Sequence, residues 1–269
     1  MFKDITIGQY YPGQSFLHRL DPRTKIICLF FYMTGLFIIN ALQSFSYLAL
    51  FTAVVVAGSG VPLRVLIKGL KPVWLLIILT LTLNVFMTAE GLVLWQWRFL
   101  KITDAGIARG AFMALRLALL LNVTSLLTLT TTPILLTDGL ERIMKRCFIP
   151  VAHELAMMMT IALRFIPTLI EETDRIMKAQ MARGADFETG SLVAKAKSLV
   201  PLLIPLFVSA FRRADDLAMA MEARCYRGGE GRTRLRQLRY QGIDAIAMLA
   251  TACFVAMAVA DRYWLNLWK

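Results

Sequence analysis

The fold is decided by two long stretches of the sequence, Glu154–Gly184 (ELAMMMTIALRFIPTLIEETDRIMKAQMARG) and Leu192–Cys225 (LVAKAKSLVPLLIPLFVSAFRRADDLAMAMEARC). In both, apolar residues recur every three or four positions and charged residues occupy the other faces, which is typical of amphipathic helices. We predict helices over Glu154–Met181 and Leu192–Met221, which at 1.5 Å per residue are rods of about 42 to 45 Å. Their embedded charges leave neither helix apolar enough to span a bilayer comfortably.

Both predicted helices end in an arginine flanked by small residues, in the triplets Ala182-Arg183-Gly184 and Ala223-Arg224-Cys225. Such an arginine has two interpretations. It compensates the helix dipole, beside a residue in the left-handed conformation, or its guanidinium docks bidentately into a carboxylate-lined groove of a partner. The repetition favours docking, because capping a helix does not require the same flanking residues twice.

The composition indicates an integral membrane protein. The 269 residues are 58% hydrophobic with a mean hydropathy of +0.61, and the apolar residues gather in long runs. A soluble domain would be nearer half apolar. The net charge of +12 comes from basic residues that flank these runs, the usual bias of a membrane protein toward the cytoplasmic side. A lipid bilayer is therefore the expected surroundings, and a nucleic-acid partner is not expected.

Apolar runs outside the two long helices are expected to cross the membrane. They are Ile26–Asn40, Phe45–Gly58, Val73–Met87, Ile107–Leu129 and Ile243–Val259. Some are shorter than the ~20 residues that a spanning helix needs, so we expect flanking residues and helix tilt to make up the difference in length. The first run belongs to a helix that starts at Pro22 with Asp21 as its cap. The predicted class is all-α, polytopic, with about five transmembrane helices and a cytoplasmic module of long amphipathic helices.

Loop charges predict the orientation of the chain. Basic residues mark three regions. The N-terminal segment contains Lys3, Arg19, Arg23 and Lys25, and the loop after the second run contains Arg64, Lys68 and Lys71. The 130–240 region contains a glycine- and arginine-rich loop over 227–234. The loop 88–106 has balanced charges, and Trp95 and Trp97 are expected interface anchors. The N-terminus and the 130–240 region are therefore predicted to be cytoplasmic, and the C-terminus, with Trp264 and Trp268, external. The predicted divisions are 1–130, 131–241 and 242–269.

The sequence contains no pattern of an enzyme or of a cofactor site. It has no Gly-x-x-x-x-Gly-Lys-Ser/Thr phosphate loop, no His-Glu-x-x-His and no dinucleotide fingerprint. The scattered cysteines suggest neither a zinc site nor a disulfide framework, and His18 is expected near a helix cap. No cofactor and no metal are therefore predicted. Arg109 and Arg116 in the fourth run either mark a pathway or extend toward the interface, and the second interpretation is favoured.

The chain resembles the transmembrane T component of energy-coupling factor transporters, the EcfT/CbiQ-like family of the ABC superfamily. The resemblance covers essentially the whole chain and is carried by Gly8–Lys25 (GQYYPGQSFLHRLDPRTK), Arg164–Asp186 (RFIPTLIEETDRIMKAQMARGAD) and Arg212–Arg234 (RRADDLAMAMEARCYRGGEGRTR). The length is similar to the form that several substrate-binding partners share. The resemblance implies a bacterial or archaeal cytoplasmic membrane and uptake of vitamins or other micronutrients.

The resemblance also implies a role for the two helix ends. In that family they lie on crossed cytoplasmic coupling helices, whose arginines dock into grooves of two ABC-type ATPase subunits of the EcfA and EcfA′ type. That role falls on Arg183 and Arg224, with Ala182, Gly184 and Ala223 allowing close approach. At Cys225 the sequence departs from the family's glycine, which puts the fine fit of that end in doubt. The third partner implied is a separate substrate-binding (S) membrane protein.

Three functions stay open from the sequence. The first is a non-catalytic coupling scaffold of this kind, which moves an apolar, methionine-containing surface against the S component when ATP binds. The second is a self-sufficient permease, for which Asn84, Asn122 and Thr128 are sparse polar candidates within the spans. The third is a membrane-embedded enzyme, which no group of residues supports.

Overall fold

The computed structural model describes residues 10–39, 44–88, 91–97, 100–185, 187, 191–229 and 238–267. Its α-helices are, in chain order, α1 (Phe16–Arg19), α2 (Pro22–Ile38), α3 (Ser44–Ser59), α4 (Leu63–Leu70), α5 (Trp74–Met87), α6 (Asp104–Thr130), α7 (Pro133–Arg146), α8 (Ala152–Ala182), α9 (Leu192–Ala223) and α10 (Gly242–Leu267). A 3-10 turn, Lys71–Val73, joins α4 to α5, and the strands β1 (Val93–Trp97) and β2 (Leu100–Thr103) precede α6. The predicted all-α, polytopic class is confirmed.

The chain divides into two compact units, and the division falls within α7, between Leu140 and Glu141. Of the described residues, 10–140 and 238–267 form the bundle unit, and 141–229 form the long-helix unit. The sequence places its boundaries instead at 130/131 and 241/242, and those remain a prediction.

Aromatic packing forms the core of the bundle unit, where α2, α3 and α10 meet. The ring of Phe254 stacks on Tyr32 at 5.6 Å and on Phe51 at 4.8 Å between centroids. The Tyr32 hydroxyl, buried among these rings, hydrogen bonds to Thr52 Oγ1 at 2.8 Å, which satisfies both polar groups. A Cβ at Gly35 would lie 2.9 Å from Phe254, so α2 and α10 approach this closely only because position 35 has no side chain.

Buried polar groups join the start of α2 to the start of α10. The Asp21 side chain accepts from the Arg23 backbone N–H, as predicted for a cap, and forms a bidentate ion pair with the Arg23 guanidinium at 2.9 and 3.0 Å. Asp244 Oδ1 accepts from the Asp21 backbone N–H at 2.8 Å, and Oδ2 accepts from the Gln241 backbone N–H at 2.7 Å. Arg23 also lies 4.0 Å over the Tyr240 ring. The N-terminal end of α2 is thus fixed to the N-terminal end of α10.

Four segments among the described residues are helical, long and apolar enough to cross a membrane: Leu63–Met87, Asp104–Thr130, Ala152–Ala182 and Gly242–Tyr263. Three of them contain the predicted third, fourth and fifth spans. The predicted first and second spans are the shorter helices α2 and α3, of 17 and 16 residues. Large apolar side chains of α5 are exposed along its length, as expected of a surface that lipid covers.

Two expectations about these segments are corrected. The loop expected after the second run, with Arg64, Lys68 and Lys71, is the helix α4, which continues through the 3-10 turn into α5. The first long helix, α8, was expected to be too polar to span a bilayer, yet by length and composition it qualifies. The reason is that most of its charges gather in its second half, between Glu171 and Lys178, and leave the first half apolar.

The loop expected over 88–106 also contains regular structure. Strands β1 and β2 pair antiparallel, and their register is shifted between Val93 and Trp95. Thr103 begins α6, since its Oγ1 accepts from the Gly106 backbone N–H at 3.1 Å and donates to the Thr88 carbonyl at 3.0 Å. The side chains of Trp95 and Trp97, the expected interface anchors, lie outside the described part of the chain.

Other predictions also concern residues that the structure leaves undescribed. They include Lys3 at the N-terminus, residues 230–234 of the predicted glycine- and arginine-rich loop, Trp268 and the Trp264 side chain. His18 is described: it lies within α1, three residues before the Asp21 cap of α2, and is bonded through Nδ1 to Ser15 Oγ at 2.6 Å and through Nε2 to the Tyr11 carbonyl at 2.9 Å.

Candidate docking site at two helix ends

The long helices α8 and α9 run in opposite directions along each other. Glu172 of α8 forms an ion pair with Arg213 of α9 at 3.1 Å. Closer to the end of α8, Gln180 Nε2 donates to the Pro201 carbonyl across a long 3.5 Å contact. That carbonyl is open to a side chain because Pro205 has no backbone N–H to donate to it. As the chain advances along α8, its contacts therefore move backward along α9.

Both helices end in the same hydrogen-bonded turn, the Schellman motif. At the end of α8, the Gly184 N–H donates to the Met181 carbonyl and the Ala185 N–H to the Gln180 carbonyl, both at 3.0 Å. At the end of α9 the equivalent bonds run from Cys225 to Glu222 at 2.8 Å and from Tyr226 to Met221 at 3.0 Å. Arg183 and Arg224 occupy the same position of the two turns.

The structure shows no partner for either arginine within the described part of the chain. All residues of the predicted triplets, Ala182, Arg183, Gly184, Ala223, Arg224 and Cys225, are exposed. Neither guanidinium forms a hydrogen bond or an ion pair with a described residue. The backbone N–H groups after each helix already bond two carbonyls of its last turn, so those carbonyls do not need the arginine as a donor. Each side chain can therefore donate its planar fork to another molecule.

At Cys225, where the family has glycine, the backbone adopts a conformation that favours glycine. Gly184 has a φ of +87° and Cys225 a φ of +54°, so both lie in the left-handed region that the turn requires. Glycine occupies this region without a Cβ penalty. The turn after α9 therefore has the same geometry as the turn after α8, although cysteine is less favourable than glycine in the left-handed conformation.

A third helix of the chain ends in the same turn but without the arginine. After α7, Phe148 N–H donates to the Lys145 carbonyl at 3.2 Å and Ile149 N–H to the Met144 carbonyl at 3.1 Å. Phe148 has a φ of +57° and is 94% exposed, and Cys147 stands where α8 and α9 have arginine. The turn alone is therefore common to three ends, and the arginine distinguishes the two predicted ones.

A buried polar cluster that the sequence did not predict lies beside the Arg224 end. His153 Nδ1 bonds to Glu141 Oε1 at 3.0 Å, and His153 Nε2 lies 3.2 Å from the Tyr226 hydroxyl. Lys145 Nζ contacts the same Glu141 oxygen at 3.1 Å. No spacing in the sequence relates residue 153 to residue 226, so only the pairing of α8 with α9 brings them together.

The polar groups considered for a pathway are engaged locally instead. Asn84, Asn122 and Thr128 each bond to a carbonyl of their own helix. The Arg116 guanidinium donates to the Ile39 carbonyl after the last turn of α2 and lies 4.7 Å over the Phe112 ring. Arg116 thus serves packing between α2 and α6. Among the described residues, no group of three or more His, Cys, Asp or Glu side chains could hold a metal ion.

Comparisons with known proteins agree along the whole chain. Residues 13–235 match the family CbiQ, described as cobalt transport protein. The chain is 54% identical over 268 residues to the energy-coupling factor transporter transmembrane protein EcfT of Clostridium kluyveri, covering 98% of this chain and 99% of that one. It is 50% identical over 260 residues to EcfT of Bacillus subtilis, covering 96% and 98%. The same protein of Listeria innocua is 46% identical over 269 residues, covering 99% and 100%.

The chain belongs to the EcfT family.

As a member of the EcfT family, the chain is the transmembrane component of an energy-coupling factor transporter, which is a role in transport. The predicted recognition and the predicted membrane character are therefore confirmed. The identities extend from the bundle unit through both long helices, so α8, α9 and their arginine ends lie inside the matched region.

Proposed function

We propose that this EcfT protein couples two ABC-type ATPase subunits to a separate substrate-binding membrane protein, the S component, for the uptake of vitamins or other micronutrients across the cell membrane. Arg183 and Arg224 are the points at which the ATPase subunits dock. When ATP closes the ATPase pair, the docked ends move, and α8 and α9 transmit this movement to the surface that holds the S component.

The observation that carries the proposal is the pair of matched, exposed arginine ends. Each presents a guanidinium without a partner among the described residues, on a turn whose backbone already bonds two carbonyls of the last helical turn. A planar donor fork on a rigid helix end suits a carboxylate-bearing groove. Two such ends of equal geometry suit two grooves of equal geometry, which a pair of homologous subunits supplies.

The separation of the two ends supports two subunits rather than one. Tyr226, just after Arg224, contacts His153 at the start of α8, and Arg183 follows the end of α8. Because α8 has 31 residues at 1.5 Å each, the arginines lie about 45 Å apart. Two docking points this far apart suit two subunits, each of which holds one helix end.

Exposed apolar side chains on the two long helices support contact with a membrane partner. They are large and include flexible methionines, at Met158, Met181, Ile204, Phe207, Phe211 and Met219. Contiguous apolar exposure indicates an interaction surface, and methionine adapts to partners of different shape. We expect the S component and the lipid bilayer to share this surface.

Co-purification from membranes of cells that express all the subunits tests the proposal. The chain should retain both ATPase subunits and an S component, whereas the double variant Arg183→Ala with Arg224→Ala should lose the ATPase subunits and substrate uptake. The matched control is Arg146→Ala, an exposed arginine in the last turn of α7, which should keep both.

A different outcome would favour the permease. If the purified chain alone transported substrate in vesicles, or if the well-expressed double variant kept ATPase subunits and uptake, docking through these ends would be wrong. We also expect the isolated chain neither to hydrolyse ATP nor to bind a vitamin tightly, since it has no phosphate loop.

A further inference from the structure

We propose that Glu141, His153 and Tyr226 form a clamp that positions Arg224. The proposal rests on the proposed docking function, and it assigns to the three residues the role of positioning residues for one of the two contacts with the ATPase subunits.

The clamp is built from side chains of three consecutive elements of the long-helix unit. Glu141 comes from α7, His153 from the first turn of α8, and Tyr226 follows the end of α9. Glu141 and His153 are 3% and 7% exposed, so their 3.0 Å hydrogen bond is shielded from water. A buried polar pair of this kind is stabilising only when its groups are satisfied, and Tyr226 supplies the remaining partner for the ring at 3.2 Å.

The chemistry of the imidazole keeps both contacts in either protonation state. The Glu141 carboxylate only accepts, so His153 Nδ1 carries a proton. In the neutral ring, Nε2 then accepts from the Tyr226 hydroxyl. In the charged ring, Nε2 carries a proton and donates to the same hydroxyl oxygen, because a phenol is both donor and acceptor. The clamp therefore keeps its two contacts with either form of the ring.

The backbone after Tyr226 is also fitted to the ring. A Cβ at Gly229 would lie 2.6 Å from His153 Cδ2 and 2.7 Å from Cγ, too close for any side chain without a shift of the chain or the ring. The segment that leaves α9 is thus held on His153 by a hydrogen bond at Tyr226 and by close packing at Gly229.

This arrangement acts on Arg224 through the turn. Tyr226 donates its own backbone N–H to the Met221 carbonyl, in the hydrogen bond that closes the turn around Arg224. Fixing the Tyr226 side chain therefore fixes the path of the backbone two residues earlier. At the other end the equivalent residue is Ala185, whose methyl group cannot form such a hydrogen bond.

A spin label at Cys225 measures the positioning directly. In a chain whose other cysteines, Cys28, Cys147 and Cys253, are serine, we expect Tyr226→Phe and Gly229→Ala each to raise the mobile fraction of the label. Gly242→Ala is the matched control, since a Cβ there meets nothing within 4 Å. A label at Ala182→Cys, with Cys225→Ser, should not respond to Tyr226→Phe. Unchanged mobility at Cys225 in both variants, or an equal change at both labels, would overturn the clamp.

A double-mutant cycle tests its consequence for docking. Loss of one hydrogen bond should weaken binding of the ATPase subunits by about five-fold in Tyr226→Phe. The same factor should appear in an Arg183→Ala background and should vanish in an Arg224→Ala background, because the clamp acts only through Arg224. A factor that persists with Arg224→Ala would mean that Tyr226 acts on the whole unit, and the proposal would be wrong.

The two experiments separate the clamp from the proposed function. If Arg224→Ala binds the ATPase subunits as tightly as the unchanged chain, the docking function fails at that end. The mobility of the Cys225 label in Tyr226→Phe still decides whether the clamp positions the turn.

Discussion

Residues after the last turn of α8 and α9 adopt the left-handed conformation, at Gly184 and Cys225. The left-handed region costs a residue with a Cβ about 1 kcal/mol or more relative to glycine. The two ends therefore differ in strain although their hydrogen bonds match, and substitutions at the two positions are expected to act in opposite directions.

We predict that Gly184→Ala lowers the free energy of unfolding by about 1 kcal/mol. Cys225→Gly should leave it unchanged or raise it, since relief of the strain is partly offset by the greater freedom of glycine in the unfolded chain. Thermal unfolding in detergent measures both, with Gly242→Ala as control because that position has no positive φ and free space for a Cβ. Equal stability of Gly184→Ala and the control would contradict the strain argument.

At the scale of elements, the joint between α2 and α10 depends on Asp244. Its carboxylate is 1% exposed and accepts from the backbone N–H groups of Asp21 and Gln241. Alanine would leave the buried Asp21 N–H without its acceptor, whereas the N–H of the exposed Gln241 can turn to water. Because an unsatisfied buried donor costs about 1 to 3 kcal/mol, we expect Asp244→Ala to destabilise the protein by about that amount, measured by thermal unfolding. Asp216→Ala, at an exposed carboxylate of α9, should change little; equal effects of the two would refute the role of the joint.

Local sequence signals predicted most helix positions well, because they act over a few residues. Asp21 and Pro22 marked the start of α2, and the period of three to four marked α8 and α9 to within two residues of their observed ends. The hairpin of β1 and β2 was missed because it is short and lies among charged and turn-forming residues.

Contacts between distant residues could not be predicted in the same way. The bond from Asp21 to Asp244 joins positions 223 residues apart, and His153 meets Tyr226 across 73 residues. Such pairs depend on which helix faces lie together, which a single sequence does not specify. Of the candidate site, the arginine triplets were therefore predicted, whereas the opposed run of α8 and α9 and the buried cluster beside Arg224 were not.

At the scale of the whole molecule, the orientation of α8 relative to the bilayer decides whether both arginines can meet ATPase subunits. Since α8 is apolar enough to span, its ends would lie on opposite sides if it did so. The Arg224 end lies beside the start of α8, so Arg183 and Arg224 would then be separated by the membrane.

We predict that both ends face the cytoplasm. A membrane-impermeant maleimide should label native Cys225, and separately Ala182→Cys with Cys225→Ser, in inside-out but not in right-side-out vesicles; the remaining cysteines are serine in both chains. A reporter fused after Lys269 should lie on the external side, as the loop charges predict. Labelling of the two cysteines from opposite sides would place α8 across the bilayer and exclude docking of both arginines from one compartment.

The affinity of the ATPase subunits for the reconstituted chain tests the coupling account most directly. Loss of one partner of a partly buried charge pair costs about 2 to 5 kcal/mol, or roughly 30- to 3,000-fold in affinity at that end. We expect one intact end to keep an assembled complex, since two sites on one scaffold act together. We expect the double variant Arg183→Ala with Arg224→Ala to show no specific binding, and lysine at both positions to restore little, because lysine has no planar fork.

If the arginines only stabilise helix ends, each is worth about 0.3 to 1 kcal/mol. A well-folded double alanine variant that binds within about five-fold of the unchanged chain would contradict the account.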